Sequence, residues 1–155
     1  MTIYDKSQSQ KNCFERLLAK IPGFRGYLAK EDRRESDKLE REFIAKAFDA
    51  AREPLRRTVR AVADTGNFDA LRAVAGIDPL EKLVEKVANR VRFADYGYSG
   101  FFDAVKIGEP ELERLYAFDL ALYERAETLE KRTKELPALA NDGDALKAEV
   151  QRLEQ

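Results

Sequence analysis

The chain has 155 residues, 44% hydrophobic and 37% charged, so it is long enough and apolar enough to bury one core. Its 28 basic and 29 acidic residues give a net charge of -1, which provides no attraction for nucleic acid and argues against a nucleic-acid-binding protein. Because the sequence has no histidine, most catalytic triads, many zinc sites and the carboxylate–histidine di-iron sites are excluded.

The sequence contains no recognisable motif for binding a cofactor or a metal and no secretory signal. Cys13 is the single cysteine, so neither an internal disulfide nor a cysteine metal site is expected. No glycine-rich phosphate loop followed by Lys-Ser or Lys-Thr occurs, and no cofactor is predicted. The first residues lack the apolar core of a secretory signal, and no segment is apolar over the length of a membrane span. We therefore expect a cytoplasmic protein without a transmembrane segment.

Apolar residues at helical spacing predict two helices in the N-terminal part of the chain. The first extends from Ser9 to Lys20 and is ended by Pro22. The second extends from about Leu28 to Ala63, and its apolar stripe is Leu39, Phe43, Ala47, Ala51, Leu55, Val59 and Val62. Pro54 lies inside this run and removes a backbone donor, but the stripe keeps its phase across it. We therefore expect a kink at Pro54.

The middle of the chain predicts a short helix followed by a longer one. Phe68 to Ala75 has the length of one or two helical turns. Asp78 is a preferred N-cap residue, and Glu81 three positions later completes a capping box. The helix that they predict extends to about Ala94, and its apolar face is Leu80, Leu83, Val84, Val87 and Val91.

A last long helix is predicted from Glu109 to Leu136, with a buried stripe of Leu112, Leu115, Phe118, Leu122, Ala126 and Leu129. Residues 1–136 then form one helical domain, and residues 137–155 form a linker and a weak helix capped by Asp144. No strand pattern occurs. The sequence therefore predicts an all-α antiparallel bundle of three principal helices, the second kinked at Pro54, with short flanking helices.

A third of the aromatic residues lie in the connection between the last two long helices. They are Phe93, Tyr96, Tyr98, Phe101 and Phe102, interleaved with glycines. Aromatic rings provide rigid contact area at a small loss of entropy, so Tyr96, Tyr98, Phe101 and Phe102 are candidate partner-binding residues. The alternative is that these rings close the end of the bundle as part of its core.

Arginines form the one concentrated basic stripe. Arg52, Arg56 and Arg60 are spaced by four residues and share a helical face, with Arg57 beside them. This stripe is a candidate site for an anion, an acidic partner or an anionic lipid headgroup. The alternative is a solvated face that lies opposite the glutamates of the last long helix.

Asp119 is the carboxylate that the pattern places at the margin of an apolar stripe, beside Leu115 and Leu122. A half-buried carboxylate needs a partner, and the candidates are Arg90 or a hydroxyl of Tyr96 or Tyr98. Such a pair either orients a ligand or fixes the register of two helices.

These patterns favour a non-enzymatic helical interaction or scaffold protein, which binds a protein partner or a second copy of itself in the manner of a coiled coil. One alternative is a peripheral membrane-surface or stress-associated protein that binds anionic lipid through the arginine stripe. A second alternative is an enzyme with a site between helices near Asp119. No metal ligand is predicted for any of the three.

Overall fold

Helices are the regular elements in the part of the chain that this computed structural model describes, which is residue 13 and residues 15–21, 33–94 and 109–155. They are α1 (residues 15–20), α2 (Arg33–Ala50), α3 (Arg52–Thr65), α4 (Phe68–Val74), α5 (Ile77–Arg92), α6 (Glu109–Glu135), the 3-10 turn Leu136–Leu139 and α7 (Gly143–Leu153). The predicted all-α helical bundle is therefore confirmed. Within these described residues, every helix is too short or too polar to cross a membrane.

Pro54 disturbs the second predicted helix, and the disturbance is a break at Ala51. α2 ends at Ala50 and α3 begins at Arg52, so Pro54 lies in the first turn of α3. Proline has no N–H to donate to the carbonyl of Ala50, and its ring crowds that carbonyl. α2 and α3 are therefore separated by Ala51 alone, whose φ of -74° and ψ of -17° are still helical, so the helix predicted to kink at Pro54 is interrupted at one residue.

The chain divides into two compact units. The first unit contains the described residues of Met1–Ile44 together with Val91–Arg125, and the second contains Ala45–Arg90 together with Ala126–Gln155. Residues 137–155, which the sequence predicts as a linker and a weak helix, thus belong to the second unit.

The first unit has a small apolar core formed by Leu17 and Ile21 near the N-terminus and Leu120 from α6. Partly buried residues surround it, namely Cys13, Leu18, Leu39, Phe43 and Tyr116. The rings of Phe43 and Tyr123 stack with their centroids 5.0 Å apart and an interplanar angle of 17°. Helices α1, α2 and α6 are therefore packed together by this cluster.

In the second unit, α4 packs against α7, and α3 packs against the 3-10 turn and α4. Gly66 ends α3 with a left-handed φ of 66°, a conformation that glycine adopts without steric strain. Asn67 caps α4 by accepting hydrogen bonds from the backbone N–H groups of Asp69 and Ala70, at 3.0 and 3.2 Å. Its Nδ2 also donates to the carbonyl of Asn141 at 3.1 Å, which ties the start of α4 to the turn before α7.

Two predicted helix starts are wrong by one or two residues. α5 begins at Ile77, because the N–H of Leu80 already donates to the carbonyl of Gly76, so Asp78 lies in the first turn and is not its cap. α7 is capped by Asp142, whose Oδ1 accepts from the N–H of Ala145 at 3.0 Å, instead of by Asp144. Since both helices bury their first residue, tertiary packing extends them beyond the predicted caps.

The buried faces also differ from the predicted stripes at single positions. Val59, Leu83 and Phe118 were expected to be buried, but they are exposed. Among the described side chains of α2 the buried ones are Glu40, Ile44, Ala45 and Phe48, and three of them, Glu40, Ile44 and Phe48, each follow a residue of the predicted stripe by one position. A step of one residue corresponds to about 100° around the helix, so the buried face of α2 is wider than predicted. It includes Glu40, Ile44 and Phe48 beside the partly buried Leu39 and Phe43, which pack on the core of the first unit.

Gly143 provides a test of the contact between α4 and α7. A Cβ at this position would lie 2.6 Å from the carbonyl carbon of Asp69 and 2.8 Å from the nitrogen of Ala70, both main-chain atoms. Gly143→Ala is therefore expected to lower the free energy of unfolding by about 1–3 kcal/mol, measured by urea denaturation, because backbone cannot rotate away as a side chain can. Lys147→Ala, at an exposed position of the same helix, is the control and is expected to stay within about 0.5 kcal/mol of the parent. Equal stability of the Gly143→Ala protein and the parent would contradict the close approach.

Candidate functional site

A carboxylic acid lies in the core of the first unit. Glu40 is on α2, one helical turn before the buried Ile44, and only 4% of its surface is exposed. Among the residues that the structure describes, its Oε1 atom has no hydrogen-bond partner. A buried polar atom without a partner is energetically unfavourable, so apolar packing does not explain why a carboxyl group is buried at position 40.

Asp119 is the neighbour of Glu40. It lies on α6 one residue before the buried Leu120, and its own side chain is half-buried. The two acidic groups lie close enough to affect each other's ionisation, and the positive charge of Arg41 acts on Asp119. Glu40 and Asp119 are called the carboxyl pair below.

Burial and the adjacent acid change the protonation of the carboxyl pair. Removal from water, followed by the negative charge of Asp119, raises the pKa of Glu40 to about 9. Burial also raises the pKa of Asp119 to about 6, against the opposing effects of the Glu40 hydrogen bond and the Arg41 charge. Between about pH 6 and pH 9 the pair therefore holds one proton, with Glu40 as the donor and Asp119 as the accepting carboxylate.

Among the predicted partners of Asp119, only Arg90 is a described residue. Arg90 is exposed and belongs to the second unit. Tyr96 and Tyr98 lie outside the described residues. Glu40 was missed by the sequence analysis, although extending the phase of Ile44 and Phe48 back by one turn places it on the buried face.

Two arginines of the predicted stripe, Arg52 and Arg56, form salt bridges with acidic side chains. Arg52 donates to Glu81 Oε1 through Nε at 3.3 Å and Nη2 at 3.2 Å, and it also reaches Glu85 at 3.0 Å. Arg56 donates to the same Glu81 oxygen at 2.9 and 2.6 Å. A third acid, Asp49, lies 3.3 Å from Arg52. Arg52, Arg56, Glu81, Glu85 and Asp49 are called the arginine cluster below, and its two positive charges face three carboxylates of the second unit.

The other two arginines of the stripe are more exposed. Arg57 lies 4.0 Å from Glu53 on its own helix, with both side chains more than half exposed. Arg60 is exposed as well. The acidic partners that the structure provides for the stripe come from α3 itself, α5 and the end of α2, whereas the sequence pointed to the glutamates of α6.

The remaining predicted site falls on the aromatic connection. Tyr96, Tyr98, Phe101 and Phe102 lie outside the described residues, and Phe93, the first ring of the group, is exposed. In the described ranges no group of three or more cysteines, aspartates and glutamates is placed to hold a metal ion.

Comparison with known proteins gave no match: no family model fits the chain, and neither a curated protein nor a solved structure is similar to it.

The geometry of the arginine cluster predicts unequal effects for two identical substitutions. Glu81→Gln removes the charge that receives Arg52 and Arg56, at a side chain only 19% exposed, and is expected to destabilise the fold by about 1–2 kcal/mol in thermal or urea unfolding. Glu53→Gln removes the acid 4.0 Å from Arg57, at a side chain 53% exposed, and is expected to change stability by at most about 0.5 kcal/mol. Equal effects of the two substitutions would show that the arginine cluster contributes no more than an exposed ion pair.

Proposed function

We propose that this chain is a non-enzymatic helical interaction protein that associates with a second copy of itself. The observation that carries the proposal is the exposure of large apolar side chains on well-formed helices. Phe68 on α4 is 82% exposed, and Leu71 on the same helix is 41% exposed. Large apolar groups held at the surface favour contact with another protein surface, because removing them from water is favourable.

Phe68 and Leu71 on α4 are the residues that this proposal assigns to the contact. They are three positions apart and therefore adjacent on one helical face. Ala70 and Ala73 of the same helix are buried, so α4 packs into its unit through small residues and presents large ones outward. Burying one phenylalanine contributes about 1.5–3 kcal/mol. In a two-fold symmetric pair the same residues are buried on both copies, so the contribution is made twice.

The anionic-lipid alternative has weaker support from the same residues. A lipid headgroup would have to compete with Glu81 for Arg52 and Arg56, since that carboxylate already accepts from both. The single cysteine of the chain fits a reducing compartment, so a cytoplasmic location is part of the proposal.

The catalytic alternative is favoured by one observation, the carboxyl pair at Asp119. Two carboxyl groups that share one proton can act as a general acid and a general base. However, an acid must come within hydrogen-bond reach of its substrate, and Glu40 is nearly inaccessible in this structure. An interaction function therefore has the better support.

Self-association is tested by light scattering coupled to size exclusion over low to several hundred micromolar protein. The parent is expected to shift from the 17.7 kDa monomer toward twice that mass as concentration rises. The double variant Phe68→Ser with Leu71→Ser is expected to remain monomeric, because it removes the apolar contact while leaving the buried face of α4 intact.

Phe118→Ser is the matched control, since it makes the same change at another strongly exposed phenylalanine. It is expected to associate like the parent, and far-UV circular dichroism checks that each variant is folded. A parent that stays monomeric at every concentration would refute self-association. A parent that loses association through Phe118→Ser alone would refute the assignment to α4.

A further inference from the structure

We propose that the carboxyl pair is a pH-dependent switch of the first unit: α2 and α6 stay packed while the pair holds a proton, and they separate when that proton is lost. This inference is independent of self-association through α4, because Glu40 and Asp119 belong to the other unit.

The geometry leaves little room for the doubly ionised pair. Only 4% of the surface of Glu40 is exposed, and its Oε1 has no hydrogen-bond partner among the described residues. With one proton, Glu40 donates to Asp119 and only one negative charge is present. Without it, two carboxylates would face each other beside the apolar cluster of Leu17, Ile21 and Leu120. Two like charges side by side in a site with little water repel strongly, and separating the helices lets both be hydrated.

Among the described residues of the first unit, no further cation is recorded as acting on the pair to compensate a second negative charge. Asp119 from α6 and Arg41 from α2 are the charged groups that act on the pair, and the charge of Arg41 matches the first negative charge. Cations from α1 and from the end of α5 have contacts of their own, namely Arg16 with Glu124, Lys20 with the ring of Tyr123, and Arg92 with Glu42.

The direction of the pH effect follows from proton counting. Between about pH 6 and pH 9 the packed unit keeps one proton on the pair, whereas the separated unit, with ordinary carboxyl groups, keeps none. Opening therefore releases one proton, and its equilibrium constant rises about tenfold for each pH unit. This is the reverse of the usual behaviour of carboxylates stabilised by cations, whose contribution is lost on acidification.

Native-state hydrogen exchange, corrected for the intrinsic pH dependence of amide exchange, measures this opening on the full chain. In the parent, protection of the amides of residues 39–44 and 116–120 is expected to fall about tenfold per pH unit from pH 6 to pH 9. Glu40→Gln is expected to make protection nearly independent of pH, since the amide donates to Asp119 as the acid does but cannot ionise. If Glu40→Gln does not fold by circular dichroism, Glu40→Leu replaces it, because it also removes the titration.

Glu42→Gln is the control on the same helix. It removes the acid that pairs with Arg92 at 3.1 Å, and it is expected to keep the pH dependence of the parent. The amides of α4 and α7 are expected to show no such dependence. A flat profile in the parent would overturn the proposal, as would an unchanged slope in Glu40→Gln. An equal slope in α4 and α7 would overturn it too, because the pair would then govern the whole chain and not one unit.

Discussion

The helical period of α2 and α3 fixes which side chains enter the core, and the site depends on that period. Buried residues follow one another at steps of three or four, in the order Glu40, Ile44, Phe48, Ala51, Leu55, Thr58 and Val62. The phase survives the break at Ala51, although Pro54 prevents a continuous hydrogen-bond ladder there. The helical period determines which positions face the core, whatever side chain stands there. An acid at one of these positions is therefore buried together with its apolar neighbours. Glu40 is that acid.

The polar residues of the core differ in how their hydrogen bonds are satisfied. Thr58 and Thr133 are fully buried, and each hydroxyl donates to a carbonyl of the preceding turn, at 2.9 Å to Pro54 and at 2.9 Å to Glu130. A hydroxyl is short enough for this local solution and carries no charge. The longer carboxyl of Glu40 depends on a side chain from another helix, Asp119. The protonation of Glu40 therefore depends on the packing of α2 on α6, whereas the hydrogen bonds of the two threonines do not.

Local patterns in the sequence predict the helices well and the contacts between them poorly. The break near Pro54 and the position of Asp119 at the edge of an apolar stripe follow from the residues around them. The partner of Asp119 does not, because Leu39 and Phe43 pack on the same cluster as Leu120, and the spacing of apolar residues does not show that their neighbour Glu40 is the residue of α2 that meets Asp119. The sequence offers Arg52 possible glutamate partners on both α5 and α6, and only the tertiary structure shows that the partner is Glu81. Sequence pattern thus identified a charged residue in need of a partner, but not the partner.

Two features of this chain are not explained by its stability, and they lie in different units. Replacing a buried ionisable pair by apolar residues is often neutral or stabilising, so the carboxyl pair of the first unit is not explained by the stability of the fold. Keeping Phe68 in water likewise forgoes about 1.5–3 kcal/mol that burial would provide. The arginine cluster behaves differently, because Arg52 and Arg56 share one acceptor and their charges face carboxylates of the same unit. Since stability does not account for the carboxyl pair or for the exposure of Phe68, the roles that we propose for them are proton-linked opening in the first unit and contact with a second copy of the chain in the second unit.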